Sequence, residues 1–312
     1  MYTPPDMKIW GGRIDPEEGS QGRRWHECVT TWNGQATPGV ALLGFAGDAG
    51  VARNQGRTGA KEGPAAIRRA LANLAWHQTN PVYDAGDVIC IDDELEATQY
   101  ELSDHVADLL DAGQFPIVLG GGHEVAYGSF LGLAQHMKTK SHRPTIGIIN
   151  LDAHFDLRAG LRPNSGTPFR QIAELCNADN HPFHYLVYGI ARPSNTQGLF
   201  QRAQKLGVVW RTDEECISEN KKELLDTLTS FAVKVDWLYL TVCLDVLPAA
   251  VAPGVSAPAI RGIELSIVET LIDAVKKTGK LKLAELAELN PTIDRDNQTA
   301  KVAARLAWRI AI

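Results

Sequence analysis

What most limits the fold of this chain is a set of short apolar runs with almost no polar interruption. They are "VALLGFAG" from Val40, "FPIVLG" from Phe115, "TIGIINLD" from Thr145, "YLVYGI" from Tyr185, "GVVW" from Gly207, "WLYLTVCLDV" from Trp237 and "LKLAELAELN" from Leu281. A strand with one wet face alternates apolar and polar residues, whereas a strand covered on both faces reads as a continuous run rich in Val, Ile and Leu. Between the runs, apolar residues recur at helical spacing over about 62–75, 97–112, 123–137, 168–177, 220–231, 264–278 and 298–311. Glu62-Gly63-Pro64 opens the first of these, with proline suited to a first helical turn. Strands alternating with helices predict an α/β fold, a three-layer αβα arrangement around a doubly wound, mainly parallel sheet. No repeat, low-complexity tract or linker-like shift in composition divides the 312 residues. They read as a single domain, 1–312, with residues 1–35 as an N-terminal extension packing on it.

Ligands in such sheets bind beyond the carboxyl ends of the strands, so the polar residues that end the apolar runs carry the functional information. After "FPIVLG" comes Gly120-Gly-Gly-His-Glu124, a tight turn that puts His123 at the start of a helix. After "TIGIIN" comes Leu151-Asp-Ala-His-Phe-Asp-Leu-Arg158. After "WLYLTV" comes Cys243-Leu-Asp245. Asp152, His154 and Asp156 are spaced by two, so an extended backbone would turn all three to one side, and the same alternation pairs Cys243 with Asp245. Ionisable groups crowded at one sheet end repel and resist desolvation unless a cation sits among them. His123, Asp152, His154, Asp156, Cys243 and Asp245 are therefore the candidate metal ligands. Mixed carboxylate and imidazole donors favour a divalent first-row ion, with Mn2+ suited to an oxygen-rich set. So many ligands exceed the need of one ion and point to two ions sharing a carboxylate, an arrangement that activates water at neutral pH.

Each piece has a plainer reading. Alone, His123 could cap a helix or pack, Asp245 could cap a turn, and Cys243 could be a small buried hydrophobe. The Asp-Ala-His-Phe-Asp run resists this, because a buried strand has no structural use for three ionisable groups in five residues. A dinucleotide-binding turn at Gly120 is rejected, since the third small residue and the acidic residue after a second strand are missing. The remaining histidines, His26, His77, His105, His136, His142, His181 and His184, lack ligand spacing.

A net charge of −6 without a Lys/Arg cluster argues against nucleic-acid or anionic-membrane partners, and no apolar run approaches the ~18 residues needed to span a bilayer. The N-terminus lacks the layout of a signal peptide. Cys28, Cys90, Cys176, Cys216 and Cys243 are scattered and odd in number, which suits free thiols in a reducing cytoplasm.

The ordered motifs resemble the ureohydrolase family of arginase, agmatinase and formimidoylglutamase. They are Asn54-x-Gly-Arg-x-Gly-Ala60 with Gly63-Pro64, GGGHE, DAHFD, Ser165-Gly-Thr-Pro168, LDV at 244–246, and Glu288-Leu-Asn-Pro291 leading into Thr299-Ala300. The likeness runs from about Val40 to the C-terminus. It implies the arginase-like fold, a binuclear manganese centre and a homo-oligomer. Trp10-Gly-Gly-Arg-Ile-Asp15, Arg24-Trp-His26, Asp156-Leu-Arg158, Asn164-Ser-Gly-Thr-Pro-Phe-Arg170 and Pro253-Gly-Val-Ser-Ala-Pro258 are most similar to the formimidoylglutamase branch. That branch hydrolyses N-formimidoyl-L-glutamate to L-glutamate and formamide in histidine breakdown. The resemblance implies that Asp152 bridges two ions, one served also by His123 and Asp156, the other by His154 and Asp245. The first aspartate position of the SxDxD-like motif would be the second bridge. In Thr241-Val-Cys-Leu-Asp245 that residue is Cys243, and a thiol there weakens one manganese site or bridges as a thiolate. Ser165 stands where arginase and agmatinase carry a histidine, and the acidic residue that recognises guanidinium has no firm equivalent, Glu264 being the nearest. Both departures disfavour an arginase.

For catalysis Asp156 is the expected proton carrier. A small dianionic substrate needs cationic recognition, for which Arg158, two residues beyond Asp156, is the first candidate, with Arg57 and Arg192 behind it and Asn164, Ser165 and Asn195 as hydrogen-bonding partners. Arg57 and Arg192 could equally make structural loop contacts. Two other readings remain from sequence: another guanidine or amidine hydrolase of agmatinase or guanidino-acid type, and a metal-impaired, non-catalytic relative. A single-zinc deacetylase-like enzyme is disfavoured by the N- and C-terminal motifs.

Overall fold

Side chains that alternate between two apolar layers organise the molecule. A computed structural model of the chain describes residues 1–34, 37–140 and 142–312. The strands are β1 (Tyr2–Thr3), β2 (Thr30–Thr31), β3 (Val40–Ala46), β4 (Val82–Ile89), β5 (Phe115–Leu119), β6 (Ile146–Leu151), β7 (His184–Ile190), β8 (Val209–Thr212), β9 (Trp237–Cys243) and β10 (Leu281–Ala287). The helices are α1 (Trp25–Cys28), α2 (Ala49–Arg53), α3 (Gly63–Ala72), α4 (Leu95–Asp111), α5 (Val125–Lys138), α6 (Pro168–Ala178), α7 (Gln197–Lys205), α8 (Lys221–Ala232), α9 (Leu265–Lys277) and α10 (Gln298–Ala311). Leu42, Ile117, Ile149 and Leu240 face one apolar layer built with Ile67 and Leu71 of α3, Leu228 of α8, Leu271 of α9 and Leu306 of α10. Their neighbours Leu43, Val118, Ile148 and Tyr239 face the other, with Leu102 of α4, Phe130 of α5, Ile172 of α6 and Leu199 of α7. Successive side chains of each strand are thus claimed by opposite helical layers, as the continuous apolar runs require.

The sheet order is β1-β4-β3-β5-β10-β9-β6-β7-β8, with β2 also pairing with β4. All pairs are parallel except β1 with β4. The chain lays β3, β4 and β5 on one side and β6, β7 and β8 on the other, and then inserts β9 and β10 between β5 and β6. The carboxyl ends of β5, β10, β9 and β6 are therefore side by side, at the reversal of strand order where such sheets hold ligands.

Strand β4 was not foreseen, because Asp84, Gly86 and Asp87 interrupt "VYDAGDVI". Asp84 is fully buried and is compensated by Arg68 of α3, whose Nη2 lies 2.9 Å from Asp84 Oδ1 while Nη1 lies 2.6 Å from Asp87 Oδ1. The indole of Trp10 donates to Asp84 Oδ2 at 2.8 Å, tying the N-terminal segment to the sheet. The expected limit of that segment, residue 35, lies outside the described residues. Helix α7 was also missed. Its C-terminus closes on Gly207 in the left-handed region (φ 68°), so the strand expected from Gly207 begins at Val209 instead. No helix among the described residues is long and apolar enough to cross a membrane.

Candidate metal centre

The loops leaving β5, β6, β9 and β10 build one cavity of about 420 Å3, on whose wall His123, His154, Asp156, Cys243, Asp245 and Glu288 meet. Among the larger grooves, those of about 580 and 660 Å3 lie between α8 and α9 and at the amino ends of the strands, with no comparable cluster of acids and imidazoles among the described residues. After β5 the chain turns on Gly120-Gly-Gly. A Cβ on Gly121 would overlap the carbonyl oxygen of Gly47, so only glycine lets this turn press against the loop after β3 and carry His123 inward.

The expectation that extended backbone aligns Asp152, His154 and Asp156 is corrected. β6 ends at Leu151, and the next residues form a loop in which Asp156 adopts φ 49°. Likewise β9 ends at Cys243, and Asp245 sits in a short 3-10 turn, Leu244–Val246. The side chains still converge, because hydrogen bonds fold the loop instead of pleat alternation. His154 N–H donates to Asp152 Oδ1 at 2.7 Å, Phe155 N–H donates to Asn195 Oδ1 at 3.1 Å, and the Asn195 amide donates to the carbonyls of Ala153 and Ala191, both at 2.9 Å.

Asp152, fully buried, faces two ways. Its Oδ2 lies 3.0 Å from His123 Nδ1, and its Oδ1 lies 3.6 Å from His154 Nδ1. Asp156 Oδ2 approaches the same His123 nitrogen at 2.9 Å, and Asp245 Oδ2 approaches His154 Nδ1 at 3.1 Å. Two groups of ligand atoms result, each within 4.8 Å: His123, Asp152 and Cys243; and Asp152, His154 and Asp245. Asp152 belongs to both. This is the layout of two ions sharing a carboxylate.

One buried atom tests the fit. His123 Nδ1 has no hydrogen-bond partner among the described residues, although two carboxylates surround it. Its other nitrogen, Nε2, lies 2.9 Å from Thr241 Oγ1, and that hydroxyl donates to Glu285 Oε1 at 2.8 Å. A hydroxyl that donates to a carboxylate must accept from the imidazole, so Nε2 keeps its proton and Nδ1 offers a lone pair to the cluster. An orphaned imidazole lone pair aimed between carboxylates suits a divalent cation. The residues fit the metal pair.

Without a cation these groups hold one another in unusual protonation states. Burial opposes protonation of His123, but Asp152 and Asp156 overcome it and raise its pKa well above the ordinary value. His154 is likewise raised against burial, chiefly by Asp245 and Asp152. Burial and the charge of Asp152 push Asp156 up to about 6. Asp152 is held below the usual carboxylate range, where His123 and His154 outweigh burial. Burial, then the nearby acids Asp152, Asp245 and Glu288, push the Cys243 thiol well up.

Arg158 and Arg57 line the same cavity with Ser165. Arg158 is exposed, and its guanidinium makes no hydrogen bond or ion pair among the described residues. Arg57 spends part of its donors on the carbonyls of Ser256 (3.0 Å) and Val255 (2.7 Å), as a loop contact would. The Ser165 hydroxyl accepts from Asn54 at 3.1 Å. Three expected substrate contacts are not brought to the cavity wall. Asn164 folds its own loop, accepting from Gly166 N–H at 3.0 Å; Asn195 is consumed by the backbone contacts above; and Arg192 lies exposed on a short 3-10 turn. Glu264 starts α9 and does not line the cavity either.

Sequence reasoning quoted Glu288 and Thr241 within motifs without giving either a role, and missed Glu285. Glu288 is buried with φ 72°, accepts His123 N–H at 2.8 Å, and is pushed up to about 8 by burial and the acids Glu124 and Asp245. Its place at the end of an apolar strand, next to Asn290-Pro291, was the available clue. Two non-glycine acids, Asp156 and Glu288, thus occupy left-handed backbone at one cavity, strain of the kind that collects at functional sites.

A sequence model of the Arginase family matches residues 38–312. The chain is 54% identical to a formimidoylglutamase of Ralstonia nicotianae over 99% of its own length and 96% of that protein. It shares the fold of the crystal structure of formimidoylglutamase from Bacillus subtilis, with TM-score 0.84 at 23% identity, covering 96% of this chain and 93% of that one. It also aligns with Trypanosoma cruzi formiminoglutamase, solved with Mn2+, with TM-score 0.77 at 26% identity over 88% and 92% of the two chains. The αβα architecture read from the apolar runs and the arginase-like fold implied by the resemblance are both observed, and the chain belongs to the arginase family.

Proposed function

We propose that the chain hydrolyses N-formimidoyl-L-glutamate to L-glutamate and formamide, as a formimidoylglutamase of histidine breakdown. The observation that carries this reading is Arg158, whose guanidinium has no partner among the described residues, in the same cavity as a metal-type cluster of imidazoles and carboxylates. That combination suits an acidic amidine: the imidazoles and carboxylates would hold divalent ions beside the reacting carbon, and the guanidinium takes a carboxylate at the other end of the molecule. The naming of the Ralstonia relative supports it.

His123, Asp152, Asp156 and Cys243 would hold one divalent ion and His154, Asp152 and Asp245 the other, with Mn2+ as the ion found in the related Trypanosoma cruzi structure. When bound, the pair supplies Lewis acidity and lowers the pKa of water. Asp156 uses Oδ2 toward His123, so its Oδ1 is the atom that takes the proton from the attacking water and returns it to the departing amine. The water oxygen becomes the formamide carbonyl oxygen as the bond from the formimidoyl carbon to the glutamate nitrogen breaks. Arg158 orients the substrate carboxylate, with Arg57 and Ser165 as further contacts. Asn195 positions the loop that bears His154. The chain acts as a single domain with an N-terminal extension, in the cytoplasm, as a homo-oligomer.

The test is a substrate panel with Mn2+-loaded protein. Glutamate released from formimidoylglutamate, with no urea from arginine or agmatine, is the expected result. Urea from agmatine or a guanidino acid would transfer the reading to another amidine hydrolase. Failure to turn over any of them while Mn2+ binds would leave a non-catalytic relative.

A further inference from the structure

The two halves of the cluster differ in donor chemistry. Around His154 the donors are imidazole nitrogen and the carboxylate oxygens of Asp152 and Asp245. Around His123 they are imidazole nitrogen, an Asp152 oxygen and the Cys243 thiol, with Asp156 approaching from the cavity side. Cys243 is the last residue of β9, held in register with Ala287 of β10, and only 1% exposed. Its neighbour in the cluster, His123 Nδ1, is buried without a hydrogen-bond partner and is fixed as a lone-pair donor by Thr241. Thiol and imidazole therefore meet at a place where a cation is needed.

Sulfur is a soft donor that selects Zn2+ and ions of similar softness, whereas Mn2+ prefers hard oxygen. We propose that the centre is chemically divided: the His154 half takes Mn2+, and the His123 half, with Cys243 as a direct thiolate ligand, takes a thiophilic divalent ion such as Co2+, Fe2+ or Zn2+. This rests on the metal-centre reading above and goes beyond it by assigning unequal ions and a sulfur bond to one of them. Ligation transfers the thiol proton to solvent as the sulfur–metal bond forms, and no oxidant or reductant is involved.

Full-length protein stripped with a chelator and titrated with Co2+ under reductant tests the assignment. A thiolate-to-cobalt charge-transfer band in the near ultraviolet, saturating at one equivalent per chain, is expected. Cys243→Ser abolishes the band although Cys28, Cys90, Cys176 and Cys216 remain. Cys243→Asp keeps a ligand in place and guards against a merely misfolded variant. Because Co2+ outcompetes Mn2+ in most nitrogen–oxygen sites, the decisive quantity is the change in the bound Co:Mn ratio when both ions are offered together, read by mass spectrometry. That ratio falls about tenfold or more in Cys243→Asp. Two bound Co2+ ions without the band, a band that survives Cys243→Ser, or an unchanged ratio in Cys243→Asp overturns the divided centre while leaving the metal-centre reading intact. No divalent ion bound by wild type or Cys243→Asp overturns both.

Discussion

Thr241→Val isolates the hydrogen bond that fixes which nitrogen of His123 faces the cluster. Thr241 is fully buried, accepts from His123 Nε2 at 2.9 Å and donates to Glu285 Oε1 at 2.8 Å. Valine keeps the shape and removes the hydroxyl, so a buried imidazole N–H and a carboxylate oxygen both lose their partner. Each unsatisfied group costs about 1–3 kcal/mol. Glu285 retains Ser129, which donates to its Oε2 at 2.6 Å, so the expected loss for the metal-free protein is about 2–4 kcal/mol in urea unfolding. With Nε2 unanchored the ring no longer presents Nδ1 reliably, and removing such an outer partner lowers metal affinity about 10–100-fold. Calorimetric titration with Mn2+ or Co2+ reads that loss, and Thr241→Ser, which keeps the hydroxyl, recovers most of it. A Val variant within about 0.5 kcal/mol of wild type and with unchanged affinity for both ions refutes the relay.

Further outcomes follow from other parts of the molecule. Arg158→Ala lowers kcat/KM for formimidoylglutamate about 10–100-fold, the worth of one charged hydrogen bond, mainly through KM, while ion binding measured by calorimetry stays the same. Arg68→Met leaves Asp84 buried without its cation and costs about 3–5 kcal/mol in urea unfolding, a loss that a solvent-exposed pair would not produce. In metal-free protein the raised pKa values of His123 and His154 give stability that is full below about pH 6.5 and is lost as pH rises through the folded-state values. Urea unfolding with and without Mn2+ between pH 6 and 9 is therefore expected to diverge at the alkaline end, because ion binding displaces those protons.

The sheet was legible because burial on both faces leaves runs such as "VALLGFA" with no polar position, and the centre was legible because Asp152, His154 and Asp156 contradict that pattern at once. β4 was hidden for the converse reason: its Asp84 is compatible with a buried strand only through Arg68, sixteen residues earlier, and Trp10, and no local pattern records such partners. Asn195 and Asn164 looked like substrate contacts because exposed amides and loop-bracing amides have the same one-dimensional appearance. Whether an amide faces a cavity or a backbone carbonyl is decided by the fold of the loop. Thr241 and Glu285 sit within apolar strands as isolated polar residues. Only the β9–β10 register, which sets them side by side, gives them a purpose. Cys243 and Asp245 were correctly brought to one site by a pleat argument that the turn at Leu244 makes inapplicable.

The insertion of β9 and β10 between β5 and β6 also sets the order in which the molecule can mature. During synthesis the chain through β8 presents two half-sheets whose inner edges, β5 and β6, stay uncovered until the last quarter of the protein emerges. Such edges invite pairing with other chains, and the long-range contacts that close them form late. Cys243, Asp245 and Glu288 arrive on those last strands, whereas His123, Asp152 and His154 arrive before them. Tight retention of the two ions would consequently report the late strands in place: a chain stalled before β9 carries His123, Asp152, His154 and Asp156 but lacks Cys243 and Asp245, and it exposes two adhesive edges, so that completing the centre and covering those edges depend on the same final segment.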